Sequence, residues 1–254
     1  MIELELQGNT ALVTLSRPPA NAFSLEGLRQ LRQTIHDLNA NAAVRALVIT
    51  GSGPKFFSAG ADLNTFADGD RAKALDMIQA FGAAFEALAN SRLVTVAAIN
   101  GYAMGGGLEC ALATDIRVAE QHAQLALPEA SVGLLPGGTG TQTLPWLVGE
   151  AWAKRMILLG ERVDAATALR IGLVEEVVDS GKALERALAL AERVGSQSPD
   201  SVLACKDLIH AARNGVPRAA ALAQERERFM GLFNHPNQLE GVNAFLQKRK
   251  ATWQ

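Results

Sequence analysis

Ala98-Ile-Asn-Gly-Tyr-Ala-Met-Gly-Gly-Gly-Leu-Glu109 joins an apolar strand-like segment, Leu93 to Ile99, to an apolar helical one, Leu108 to Ala113. Three consecutive glycines strip side chains from the backbone between them, so bare N–H groups face outward at a helix start. Glu109 stands three residues after Gly106 and returns to the same side of that helix one turn later, where donors and acid can face one ligand. A second acid, Glu129, follows Pro128 in Leu125-Ala-Leu-Pro-Glu129. Two such acids near one glycine-rich turn raise the question of acid/base chemistry.

Working outward, Ile2, Leu4 and Leu6 alternate with polar residues, Gly8-Asn9 breaks the pattern, and Ala11 to Leu15 resumes it, which predicts a hairpin. Ser24 is an N-cap for a helix carried by Leu28, Leu31, Ile35 and Leu38. A strand over Arg45 to Thr50, a loop from Gly51 to Asp62, a helix over Arg71 to Leu88, the strand over Leu93 to Ile99, a helix from Gly106 and a strand near Ile116 follow. This is α/β order, and glycine-rich loops at strand ends are where open α/β folds place ligands. After about Gly181 only helical patterns remain: Ala183 to Val194, Val202 to Ala212, Pro217 to Phe233 and Leu239 to Lys250. The expected division is a core over residues 1–195 and a helical region over 196–254.

Composition narrows the function classes. With 254 residues and 48% hydrophobic content the chain can bury a large core. A net charge of -2 supplies no basic field for a nucleic-acid backbone or an anionic membrane. No apolar run approaches the ~20 residues that span a bilayer. Met1-Ile-Glu-Leu-Glu-Leu is acidic where a targeting peptide is basic. Two cysteines in a chain of this length make no disulfide framework, so reduced thiols and a cytoplasmic setting are expected. The four histidines lack ligand spacing, so no metal site is expected. Rossmann, P-loop and Gly-x-Ser-x-Gly signatures are missing as well.

Three loops carry what remains. Phe56-Phe-Ser-Ala-Gly-Ala-Asp62 has small residues at four consecutive positions, so its backbone can be approached closely. Read alone it could equally be a tight turn. Gly101 to Glu109 could merely pack a helix on its strand, and Glu129 alone could be a solvated turn residue before Leu135-Pro-Gly-Gly-Thr-Gly-Thr141.

Together, in this order and with these flanks, the three loops resemble the enoyl-CoA hydratase/isomerase, or crotonase, superfamily. The resemblance runs from Arg17-Pro18 and Asn21-Ala22 to Lys248-Arg249-Lys250, with Ala98 to Glu109 and Asp115 as its most specific part. It implies an α/β fold of the crotonase type, a spiral of ββα units with a C-terminal helical region. It also implies an acyl-CoA thioester substrate, with coenzyme A as part of that substrate and no separate cofactor, and a homo-oligomer, trimer or dimer of trimers.

By motif position the resemblance assigns an oxyanion hole to the N–H groups of Ala61 and Gly106, and contacts to coenzyme A and substrate to Ala22, Ala59, Gly60, Ala61, Asp62 and Leu63. Phe245 and Lys248 match positions that reach the coenzyme A of a neighbouring subunit. Glu109 and Glu129 match the catalytic pair of the hydratases, and Gly137, after Pro136, the turn that helps to place water. Hydration of an enoyl-CoA is the expected reaction; double-bond isomerisation or another reaction through the same enolate is the alternative, and a noncatalytic acyl-CoA- or RNA-binding homologue a more distant one. Cys110, Leu127, Thr139 and Pro19 depart from common residues of the family without removing a catalytic group.

Overall fold

The computed structural model describes residues 1–254. The opening hairpin pairs β1 (Ile2–Gln7) with β2 (Thr10–Leu15) in antiparallel register, Ile2 opposite Leu15. Helix α1 (Leu25–Ala40) begins where Ser24 Oγ accepts from the Gly27 N–H, and it buries Leu28, Leu31, Ile35 and Leu38. The chain then repeats one motif three times. Each copy is a strand, a short second strand and a helix: β3 (Ala46–Gly51), β4 (Phe56–Ser58) and α2 (Arg71–Ala89); β5 (Val94–Ile99), β6 (Tyr102–Met104) and α3 (Gly106–Leu112); β7 (Ile116–Glu120), β8 (Gln124–Ala126) and α4 (Gly140–Leu158). Two-residue β9 (Val163–Asp164), α5 (Ala165–Arg170), β10 (Glu176–Val178) and α6 (Ala183–Gly195) follow.

The first strands of the repeats join one six-stranded sheet, ordered β1-β2-β3-β5-β7-β10, parallel except for the opening hairpin. Their short partners form a second sheet, β4-β6-β8-β9, with Phe56 opposite Tyr102 and Tyr102 opposite Gln124. This is the crotonase-type spiral of ββα units. The repetition has a consequence for chemistry. Every glycine-rich segment leaves a short strand of the same sheet and leads toward the helix of its repeat, so loops far apart in sequence emerge side by side.

The expected loops over Gly51 to Asp62 and Gly101 to Glu109 each contain one of these three-residue strands. Three residues are too few to display a period of two, so alternation could not reveal them. Their burial comes from neighbours in the second sheet, which sequence spacing does not encode.

Asn21 ties the first of these loops down. Its backbone is left-handed (φ 53°), and its buried amide donates to the carbonyls of Ser52, Phe56 and Phe57 at 3.0, 3.0 and 3.3 Å. Its carbonyl oxygen accepts from the Arg17 N–H and from Ser52 Oγ, both at 3.1 Å. Asn21→Ala strands several buried groups and puts a side chain with no local hydrogen bond at positive φ. A loss of about 3 to 5 kcal/mol in urea unfolding is expected; a loss below about 1 kcal/mol would show that the network is dispensable.

By packing density the chain divides into two compact units, Met1–Ala191 and Glu192–Gln254. The first holds the core, in which Phe23, Phe81 and Phe85 meet edge to face with ring centroids 5.4 to 5.7 Å apart. The second contains α7 (Pro199–Arg213), α8 (Arg218–Gly231) and α9 (Pro236–Leu246), with exposed Phe229, Phe233, Leu239 and Phe245. The last helix ends at Leu246, short of the expected Lys250, and Lys248 stands beyond it at φ 54°. No helix is long and apolar enough to cross a membrane.

Candidate active site

The three loops meet at a cavity of about 950 Å³ in the first unit. Ala59, Ala61 and Leu63 line it from the first loop, Met104, Gly105, Gly106 and Glu109 from the second, and Pro128, Glu129, Gly137 and Gly138 from the third. The face of α2 that carries Arg71, Leu75, Ile78 and Phe81 forms another wall.

Glu109 sits in the first turn of α3 and is 3% exposed. Its Oε1 accepts two backbone hydrogen bonds, from Gly138 N–H at 2.8 Å and Gly140 N–H at 2.7 Å. The residue between those donors, Thr139, is left-handed at φ 97°. A β-branched residue there carries strain of about 1 to 3 kcal/mol. Such a turn aims successive N–H groups at one anion. Even so, burial dominates, and with repulsion from Glu129 it pushes the Glu109 carboxyl up to about 7 against the two hydrogen bonds.

Glu129 opens a short 3₁₀ turn, Glu129–Val132. Its Oε2 is buried and has no hydrogen-bond partner in the protein. Burial raises its pKa also. Gly105 makes room for it: a Cβ there would lie 2.9 Å from Glu129 Oε1, and the φ of 52° with ψ of -128° suits only glycine.

Two residues of the cavity lining, Ala61 and Gly106, have backbone N–H groups left over. Gly106 is the first residue of α3 and its N–H has no acceptor within the helix. The N–H groups of Ala59, Gly60 and Asp62 are bonded to Ala20 O, Ser58 Oγ and Phe23 O, while that of Ala61 between them is not. Gly60, at φ 89°, lets the two segments touch, since a Cβ there would lie 2.6 Å from Met104 O and 3.0 Å from the Gly106 nitrogen.

Other sequence-selected residues have different surroundings. Asp62 is ion-paired with Arg17 at 2.7 Å and caps the turn Leu63–Phe66; the Ala22 carbonyl accepts from Arg17 as well. Neither lines the cavity, and Gly60 shapes it from behind. Phe245 and Lys248 belong to the second unit, both exposed. Cys110 and Leu127 are buried beside the two acids in sequence and serve the core. Gly138 and Gly140 were not singled out as partners of Glu109; the glycine series was visible, but not which member faces the acid. No group of three or more His, Cys, Asp or Glu side chains is arranged to hold a metal ion.

The raised pKa has a measurable consequence. An unfolded chain ionises Glu109 near 4.5, whereas the folded protein keeps the proton up to about 7. Its contribution to stability is therefore fully present below about 4.5 and is lost as pH rises through 7. Glu109→Gln cannot ionise and is expected to gain on wild type by up to about 3 kcal/mol between about pH 4.5 and pH 8. Chemical denaturation at the two pH values tests this; a constant difference would mean that Glu109 ionises normally.

Stacked ββα repeats with backbone N–H groups and two carboxyls, one buried and one half-buried, at the loop ends define a protein of the crotonase superfamily. Comparison with known proteins agrees: the family model described as enoyl-CoA hydratase/isomerase matches residues 5–254, and the chain belongs to that family. It is 40% identical to 2,3-dehydroadipyl-CoA hydratase of Escherichia coli K12 over 96% of this chain and 94% of the relative. A solved structure of Pseudomonas aeruginosa DspI is 61% identical, with a TM-score of 0.97 over 100% of this chain and 96% of that one. An enoyl-CoA hydratase structure from Bacillus anthracis is 33% identical, with a TM-score of 0.95 over 99% and 98%.

Proposed function

We propose that this protein is an enoyl-CoA hydratase, adding water reversibly and in syn geometry to a trans-2-enoyl-CoA to give a 3-hydroxyacyl-CoA. The observation that carries the reading is the pair of carboxyls, buried Glu109 and half-buried Glu129, with raised pKa values in one cavity beside two unengaged N–H groups. The thioester oxygen accepts from Ala61 and Gly106. Water adds its oxygen to C3 while Glu109 takes one of its protons; electrons move through C2 to the thioester oxygen, forming an enolate. Glu129 then delivers a proton to C2 and the carbonyl re-forms. Negative charge grows on the thioester oxygen only on the way to the enolate, so donors fixed in advance stabilise the transition state more than the substrate.

Each acid suits its part. A base for water needs a pKa near the working pH, and Glu109 at about 7 has it. Two N–H groups hold one of its oxygens, which leaves the other for water. Burial raises the Glu129 pKa and so favours its protonated form, and its unpartnered oxygen is free to carry the proton. Both acids cannot easily be ionised together, so the pair shares a proton. Gly137 lines the cavity, and its turn helps to place the water in this reading. Ala59 and Leu63 border the entry for coenzyme A, which the substrate itself brings.

Exposed Phe229, Phe233 and Leu239 of the second unit are covered by further copies in a trimer or dimer of trimers, and Phe245 and Lys248 reach a neighbour's coenzyme A. Purified protein with trans-2-enoyl-CoA thioesters, followed by loss of conjugated absorbance and by light scattering, tests both statements. Migration of the double bond without water uptake would replace hydration by isomerisation, and a monomer would remove the intersubunit role.

A further inference from the structure

The cavity is far more apolar than acid/base chemistry needs. Leu63, Leu75, Val132 and Leu135 line it while 51 to 68% exposed, and Ile78 and Leu134 join them. Large apolar side chains standing open around one cavity mark a place where apolar ligand is received. Along α2 the lining residues Phe81, Ile78, Leu75 and Arg71 share a face at helical spacing. The six helical steps from Phe81 to Leu75 give about 9 Å of apolar wall before the cationic Arg71 is reached. Phe81 abuts Gly106, so the wall starts at the reacting end: a Cβ on Gly106 would lie 2.7 Å from that ring.

Another wall is the segment that carries an acid. Glu129 begins it, Leu134 N–H donates to Glu129 O at 3.0 Å, Gly133 N–H donates to Ala130 O at 3.2 Å, and residues 131–135 are exposed. Whatever covers Val132, Leu134 and Leu135 therefore also restrains Glu129.

We propose, on the hydratase reading, that the substrates are enoyl thioesters with an uncharged apolar tail of several carbons beyond the double bond, and that this tail, by packing on Val132, Leu134 and Leu135, fixes the segment that holds Glu129. Chain length then enters kcat as well as KM, because binding energy away from the reacting atoms is used to orient a catalytic group. A terminal carboxylate loses water against the leucines and finds only the exposed Arg71, which offsets little.

Two measurements keep this proposal separate from the hydratase reading. Affinities of butanoyl-, hexanoyl- and octanoyl-CoA, which cannot be hydrated, are expected to tighten by up to about fourfold per methylene. Leu135→Asp should flatten that gradient, whereas Leu4→Asp on the exposed face of β1 should leave it intact. In turnover, kcat is expected to rise from but-2-enoyl- to oct-2-enoyl-CoA, and hex-2-enoyl-CoA to exceed its 6-carboxylated analogue by about tenfold or more in kcat/KM. Equal affinity for butanoyl- and octanoyl-CoA, or preference for the carboxylated tail, overturns the proposal; a gain confined to KM overturns the restraint on Glu129. A clear affinity gradient with no hydration of any thioester would leave the tail site standing and defeat the hydratase reading instead.

Discussion

Glu109→Gln is expected to lower kcat by about a thousandfold, with KM for the same enoyl-CoA moving by no more than about threefold. The amide keeps the shape of the carboxyl and can still accept from Gly138 and Gly140 through its oxygen, so the loop that holds it stays in place. What it cannot do is take a proton from water. Glu129→Gln, for the opposite reason, has no acidic proton to give to C2 and is expected to lose a comparable factor. Because each acid acts on the same addition, the double variant should be scarcely slower than either single one. Additive losses would mean that the acids serve separate steps, and full turnover in either single variant would end the paired mechanism. Wild-type kcat/KM should rise with pH through the neighbourhood of 7, where Glu109 loses its proton, and that limb should vanish from the residual activity of Glu109→Gln.

The long elements of the fold were legible because burial leaves a period on them. Helix α1 shows its Ser24 cap and its row of leucines directly, and the strands of the large sheet read as apolar runs between turn residues. The second sheet was not legible. Its strands are two or three residues long and are held by pairing with one another, as Phe56 with Tyr102 and Leu125 with Val163. The candidate site was read halfway. Glu109 and Glu129 stand out as acids in apolar surroundings, and glycines mark where backbone must come close. Which N–H meets which oxygen depends on dihedrals, and here the sequence misleads: Thr139 takes a left-handed conformation that its side chain disfavours. Asp62 is the converse case, a loop acid beside coenzyme A by motif whose carboxylate is taken by Arg17, forty-five positions away.

The short second strands also explain why a fold of this kind suits the proposed site of backbone donors. Each repeat delivers its loop from a strand anchored in the small sheet, so Ala61, Gly106 and Glu129 are held by paired main chain only a few residues away. Donors fixed before the reaction need no rearrangement as charge develops.

Gly60→Ala should expose that dependence without touching an acid. The added methyl would sit 2.6 Å from Met104 O and 3.0 Å from the Gly106 nitrogen, closer than such atoms can pack, and both opposing atoms are main chain. The segments bearing Ala61 and Gly106 must therefore move apart, and on the proposed mechanism one or both N–H groups leave the thioester oxygen. Loss of a single donor of this kind costs about a hundred- to a thousandfold in kcat, and that range is expected here with the pH dependence of the Glu109 limb preserved. Stability should fall by about 2 to 4 kcal/mol, combining the left-handed backbone at φ 89° with the contact. Gly53→Ala separates the two causes: it is left-handed at φ 75° but a Cβ there meets nothing within 4 Å. It should lose only about 1 to 2 kcal/mol and keep kcat. If Gly60→Ala folds and turns over within about threefold of wild type, the oxygen is not held between Ala61 and Gly106, because a shift of the size this methyl forces cannot leave two hydrogen bonds of ordinary length intact.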